Sequence, residues 1–156
     1  MDPTGAKSFP KKIIGAAVGL AQTLKTLERF SGPARLALML KIYAYKNCST
    51  CRQAIKWLRG KGLAFEERPI RETPPSLPEL QAMLAACGEN LKRIINTSGR
   101  DYRELKLGEK LAAMSVSDAL ALLGRNGNLV KRPFLLGPGV ALVGFDEAAW
   151  TAALAN

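Results

Sequence analysis

The sequence predicts an α/β protein: a mixed four-stranded sheet in the order β-α-β, a helical insert, then β-β-α. Three observations predict it. The apolar run Leu40-Lys41-Ile42-Tyr43-Ala44-Tyr45 leads directly into Cys48-Ser49-Thr50-Cys51 and the helical pattern Arg52 to Leu58. Capped helical signals then fill the middle of the chain. Finally, two short apolar runs flank Gly137-Pro138-Gly139 ahead of a closing helix signal.

Taken in order, the run from Leu40 is the first strand, and Gly60 and Gly62 bracket the end of the helix that follows. Ala64 to Arg68 resumes as a strand; a crossover this short implies two parallel strands in a right-handed unit. Thr73-Pro74-Pro75 stops the chain. Ser76 with Glu79 makes a capping box, and Leu77, Leu80, Met83 and Leu84 are expected on the helix's core face. Short helices are expected at Leu91–Asn96 and Tyr102–Leu107, and Ser115 with Asp118 starts another that runs to Gly124. Phe134 to Leu136 and Ala141 to Val143 read as an antiparallel hairpin. Asp146 caps the last helix, through Trp150 and Leu154. This order around a Cys-x-x-Cys is the thioredoxin-like plan.

The Cys-x-x-Cys lies at a strand-to-helix turn, which is where a thiol reductase keeps its nucleophile. Cys48 would meet the unpaired N–H groups and the positive end of the helix dipole, and both favour thiolate over thiol. A free cysteine with a pKa near ~8.5 is only about 3% thiolate at pH 7, and a fall of about two units makes thiolate the majority form. Lys46 and Arg52 flank the motif and push the same way. Cys51 lies one turn in and shares a helix face with Ile55 and Leu58, so it is the more buried thiol and the natural resolving partner. Inert buried cysteines, or half of a zinc site, are the competing readings. Zinc takes four ligands, and the chain has no histidine and one further cysteine, Cys87, which reads as a small core residue beside Gly88. The absence of histidine also excludes Cys-His and Ser-His mechanisms.

At 156 residues with 47% apolar composition the chain suits one domain with a real core. Its cysteine usage fits a reducing, cytoplasmic setting better than a secreted disulfide scaffold. The net charge is +10; six basic and two acidic residues fall within 1–38, leaving 17 against 11 in the remainder. That balance suggests anionic partners or a solvated basic surface, and no basic run with interleaved aromatics points to direct nucleic-acid binding. No stretch reaches the roughly 18 apolar residues of a membrane span. In residues 1–38, Ile13, Ala17, Leu20, Leu24 and Leu27 form a helical stripe before Ser31-Gly32-Pro33 breaks the pattern. The segment reads as an upstream extension outside the working domain, as an amphipathic helix docking on the domain or on a membrane surface, or as a poorly formed signal or transit peptide. The domain itself is expected to span 39–156.

Several motifs together resemble a known family, the arsenate reductase-like group that includes the Spx regulator and the YffB-type proteins. They are Lys46-Asn47-Cys48-Ser49-Thr50-Cys51, Arg71-Glu72-Thr73-Pro74-Pro75, Ile94-Ile95-Asn96-Thr97-Ser98-Gly99 with Tyr102-Arg103-Glu104-Leu105, Val130-Lys131-Arg132-Pro133-Phe134, and Leu142-Val143-Gly144-Phe145. The resemblance implies a cis peptide at Pro133 and an Arg132 that faces Cys48, where a guanidinium fork binds an oxyanion or stabilises a thiolate. Cys48, Cys51 and Arg132 are the candidate catalytic residues. Lys46, Asn47, Ser49, Thr50, Arg132 and Pro133 are the candidate substrate-binding residues. No metal and no bound cofactor are expected.

The chain departs from the glutaredoxin-linked arsenate reductases it resembles, which carry one catalytic cysteine and three arginines. Only Arg132 matches. The second arginine's position falls on Asn96 and the third near Gly144-Phe145, while Arg93 and Arg100 lie close by in sequence but not at the matching places. Two readings follow. The first is a monomeric thiol-disulfide oxidoreductase acting on an oxyanion or a disulfide, with arsenate as one substrate and glutathione/glutaredoxin or thioredoxin as reductant. The second is an Spx-like redox-sensing regulator that docks on RNA polymerase.

Overall fold

The structure is a computed structural model and describes residues 39–154. The reading of residues 1–38 as an extension therefore lies outside the described residues. Strand β1 (Leu40–Ala44) leads through a tight turn into helix α1 (Ser49–Gly60), and β2 (Phe65–Pro69) returns beside β1. Helices α2 (Leu77–Ala86), α3 (Leu91–Ile94), α4 (Arg100–Glu104), α5 (Leu107–Lys110) and α6 (Val116–Arg125) follow, with a 3-10 turn at Gly127–Leu129. Strands β3 (Phe134–Gly137) and β4 (Val140–Val143) and helix α7 (Glu147–Leu154) close the described chain. The sheet order is β2-β1-β3-β4. The β1–β2 pair is parallel, and the β1–β3 and β3–β4 pairs are antiparallel. This is the expected mixed sheet.

The two-residue period of β1 builds two cores. Leu40, Ile42 and Ala44 point to the face covered by α1 and α7, where they join Cys51, Ala54, Leu58, Leu135, Trp150 and Leu154. Tyr43 points to the other face, with Ile70, Leu80, Met83, Leu123 and Phe134 beneath the helical insert. Tyr43 and Phe134 are register partners, and their rings meet edge-on with centroids 5.8 Å apart. Burying each such side chain is worth roughly 1.5–3 kcal/mol.

Four expectations need correction. Leu77 is 48% exposed rather than on the core face, because at the first position of α2 it stands outside the Leu80-Met83-Leu84 stripe. The helix expected at Leu91–Asn96 ends at Ile94, since Ile95 turns extended to bridge Val130, and Asn96 N–H donates to the Leu129 carbonyl at 2.8 Å. The helix expected at Tyr102–Leu107 is two helices, parted at Lys106 in the left-handed region (φ 52°, ψ 41°). The second strand runs one residue later than read, Phe65–Pro69.

Candidate active site

The site forms where β1 ends. Beyond Ala44 the chain turns through Tyr45-Lys46-Asn47, and the Cys48 N–H donates to the Tyr45 carbonyl at 2.9 Å. That bond closes the turn and leaves Cys48 as N-cap of α1, in extended conformation (φ −93°, ψ 117°). A cap side chain accepts from the free N–H groups of the first turn. Here the acceptor is sulfur: the Cys51 N–H points at Cys48 Sγ, 3.3 Å away. Cys48 is half-buried and Cys51 fully buried.

The two thiols are pushed in opposite directions. Burial alone would raise the Cys48 pKa, but the Cys51 thiol and N–H and the Arg132 guanidinium outweigh it and hold Cys48 below the ordinary thiol value. Cys51 is pushed up to about 12, by burial first and by the neighbouring Cys48 second. At neutral pH the pair therefore offers one activated sulfur and one protonated sulfur behind it. All three cysteines are free. Cys87 is buried in the other core, at the end of α2, on the far side of the sheet from Cys51.

Arg132 reaches the site from the opposite chain direction. The Lys131 N–H donates to the Ile94 carbonyl at 2.8 Å, the Arg132–Pro133 peptide is cis, and the Gly144 N–H donates to the Pro133 carbonyl at 2.8 Å. These bonds fix the segment on both sides. Arg132 acts on the Cys48 thiol, and its Nη1 is buried with no hydrogen-bond partner. A buried guanidinium nitrogen without an acceptor is costly in a folded protein unless something else accepts from it. Its natural complement is an anion.

The expected site residues divide. Cys48, Cys51 and Arg132 come together, and Pro133 follows Arg132 through the cis peptide. Asn47 lies beside them, its Nδ2 donating to the Tyr45 hydroxyl at 3.3 Å. Lys46 and Ser49 are exposed and Thr50 half-buried on the opening turn. Arg52 is turned away: its Nη1 donates to the Lys46 carbonyl at 3.1 Å, so the leading cation on Cys48 is Arg132 rather than the flanking pair. At the second arginine's place, Asn96 Nδ2 donates to the Asn128 carbonyl at 3.0 Å and holds the insert to the loop before Val130. At the third, Phe145 packs edge-on against Trp57 and Trp150, with centroids 6.3 and 5.0 Å away.

Two residues at this site were not among the expected site residues: Tyr45, read as part of the first strand run, and Arg71, read only as part of a family motif. The Arg71 Nη1 donates to the Tyr45 hydroxyl at 3.0 Å. The guanidinium carbons of Arg71 and Arg132 both lie over the Tyr45 ring, 4.9 and 5.0 Å from its centroid. A signal was present in the pairing: parallel β1 and β2 end side by side, so the residues just beyond them share the mouth where α/β sheets bind ligands.

A thioredoxin-like sheet with a cysteine pair capping its first helix defines a thiol-oxidoreductase type of fold. More narrowly, the ArsC family model matches residues 43–153, and the chain belongs to that family. The chain is similar to the uncharacterized protein YusI of Bacillus subtilis, 46% identical over 70% of this chain and 93% of that one. It is also similar to the global transcriptional regulator Spx of Enterococcus faecalis, 31% identical over 70% of this chain and 81% of Spx. A crystal structure from Streptococcus mutans UA159, described as a possible arsenate reductase, superposes with a TM-score of 0.65 and 37% identity over 69% of this chain and 92% of that one. Among the described residues no helix is long and apolar enough to cross a membrane.

Proposed function

We propose that residues 39–156 form a thiol-disulfide oxidoreductase domain, with Cys48 as nucleophile and Cys51 as resolving thiol. The observation that carries this reading is the opposite treatment of two cysteines one helical turn apart: Cys48 is lowered by the Cys51 N–H and Arg132, and Cys51 is raised by burial.

In the first step the Cys48 thiolate attacks one sulfur of a disulfide substrate. The substrate S–S bond breaks, a Cys48 mixed disulfide forms, and the other half leaves with the electron pair as a thiolate. Cys51 then gives up its proton and attacks Cys48 Sγ, which releases the second half and leaves a Cys48–Cys51 disulfide. Two electrons have passed from the dithiol to the substrate. A cellular dithiol or glutathione, delivered through glutaredoxin or thioredoxin, returns the pair to its reduced form. Arsenate is the oxyanion alternative at the same sulfur, with Arg132 on the anionic adduct; the arsenate reductase-like neighbour supports it, and Asn96 and Phe145 at the other two arginine places weigh against tight binding.

The test is NADPH oxidation by the purified full chain, with arsenate or a small disulfide as acceptor, coupled separately to glutathione/glutaredoxin and to thioredoxin. Cys48→Ser is expected to abolish turnover, and Cys51→Ser to accumulate a mixed disulfide visible by mass spectrometry. Full activity of Cys51→Ser with no trapped adduct would remove Cys51 from the resolving role.

The similarity to Spx supports a second reading: the same disulfide switches a surface that docks on RNA polymerase. Reversible Cys48–Cys51 oxidation without turnover of any acceptor, together with redox-dependent capture of the polymerase, would favour it.

A further inference from the structure

We infer that Arg71, Tyr45 and Arg132 form an anion cradle at two depths beside Cys48, and that Arg71 positions disulfide substrates carrying a carboxylate a short distance from the sulfur under attack. The inference rests on the reading of Cys48 as nucleophile and adds a preference for charge.

Two guanidinium groups are held on one aromatic ring. Like charges brought this close repel, and packing that tolerates them is normally offset by a nearby carboxylate. Among the described residues neither arginine forms an ion pair. Tyr45 instead contacts both cations: its ring centroid lies 4.9 and 5.0 Å from the guanidinium carbons of Arg71 and Arg132, and its hydroxyl accepts from Arg71 at 3.0 Å and from Asn47 at 3.3 Å. With two donors already on the oxygen, the hydroxyl's own proton points elsewhere, and it donates to no group among the described residues. The mouth of the site thus presents the Tyr45 O–H and the remaining Arg71 nitrogens, with the unpartnered Arg132 Nη1 buried, all of them donors.

Depth separates the two cations. Arg132 Nη1 is buried and Arg132 acts directly on Cys48, so it serves the reacting sulfur. Arg71 is exposed and bonded at the hydroxyl end of the ring, farther out. An anion bonded directly to Sγ would meet Arg132. A carboxylate borne by the group behind the attacked sulfur would meet Arg71, where a guanidinium can take it in two parallel hydrogen bonds. The main-chain bond from Ile70 N–H to the Ala44 carbonyl, 3.0 Å, carries β2 one residue further and sets Arg71 beside the turn that holds Cys48.

The test compares two small disulfides on the full chain by stopped flow: dithiobis(nitrobenzoate), whose two carboxylates make it anionic, and dithiodipyridine, which is neutral. The quantity read is the ratio of their second-order rate constants with Cys48. Arg71→Gln is expected to lower that ratio roughly tenfold, the size of one charge-assisted hydrogen bond, and Arg71→Lys to recover part of it. Arg93→Gln removes the same charge from an exposed site elsewhere and is expected to leave the ratio unchanged. An unchanged ratio in Arg71→Gln, or an equal fall in Arg93→Gln, would overturn the cradle and leave the nucleophile standing. Failure of the wild-type Cys48 to react even with the neutral disulfide would overturn both.

Discussion

Cys48 and Cys51 differ in environment more than in position. Two residues of helix separate an N-cap sulfur that accepts a backbone N–H from a sulfur buried in the same core cluster as Ala54, Leu58 and Trp150. The sign of each shift follows from that. A thiolate is favoured where donors and a guanidinium converge and disfavoured where apolar atoms replace water. Reactivity of Cys48 toward a neutral alkylating agent should rise with pH around a midpoint below the usual thiol value of ~8.5. In Arg132→Gln that midpoint should move up, because one of the groups that favour the thiolate is lost; a rate–pH profile checks both. The cysteines, Arg132 and its proline were legible in the sequence because each sits in a short motif. The roles of Tyr45 and Arg71 were not, although Arg71 opens one of the family motifs, because the two lie 26 positions apart and meet through strand pairing and one 3.0 Å hydrogen bond.

At the scale of elements, the caps do two kinds of work. Ser115 and Asp146 are ordinary caps, accepting from the N–H groups of Asp118 and Ala149 at 3.0 and 2.8 Å. Glu79 is more than a capping-box residue. Its carboxylate accepts from Ser76 N–H at 2.8 Å, and it also bonds the Tyr43 hydroxyl at 2.8 Å and Lys41 at 2.7 Å, tying α2 to β1. Burial works against the charged carboxylate, but these bonds, Lys41 first, lower its pKa from 4.5 to about 2. The folded value is depressed, so the stabilisation is present above about pH 4.5 and is lost as pH falls towards 2. Glu79→Gln should cost on the order of 2 kcal/mol at pH 7, a value reduced for partial solvent access, and should flatten the fall in stability below pH 4.5; urea midpoints across pH measure it. Glu79 was readable as a cap from its spacing to Ser76, whereas its bonds to β1 depend on how the helix lies on the sheet. The break at Lys106 was not legible, because a lysine adopts the left-handed region there against its local preference.

Across the whole molecule, the insert is more than a cover for one face. The 3-10 turn at Gly127 comes so close to the backbone just past β2 that a Cβ there would run into the Ile70 carbonyl and crowd Arg71 Cα. Only glycine allows that approach. Gly127→Ala should lower stability by about 2–3 kcal/mol, as overpacking against backbone does. By shifting the end of β2 it should also reduce the preference for anionic disulfides; urea unfolding and the same rate ratio test the two effects. The sheet order and the three-part plan were legible because alternation in β1 and the turn at Gly137-Pro138-Gly139 are local signals, and the bridge between Ile95 and Val130 was not, since nothing within either segment announces the other. One consequence of the cap geometry reaches the whole protein. For the proposed Cys48–Cys51 couple, whatever stabilises the thiolate at Cys48 would stabilise the dithiol form against its disulfide and draw the couple towards a less negative reduction potential, by about 30 mV for each tenfold gain. A couple so poised would give up electrons less readily than a strong reductant and accept them from a wider range of cellular donors.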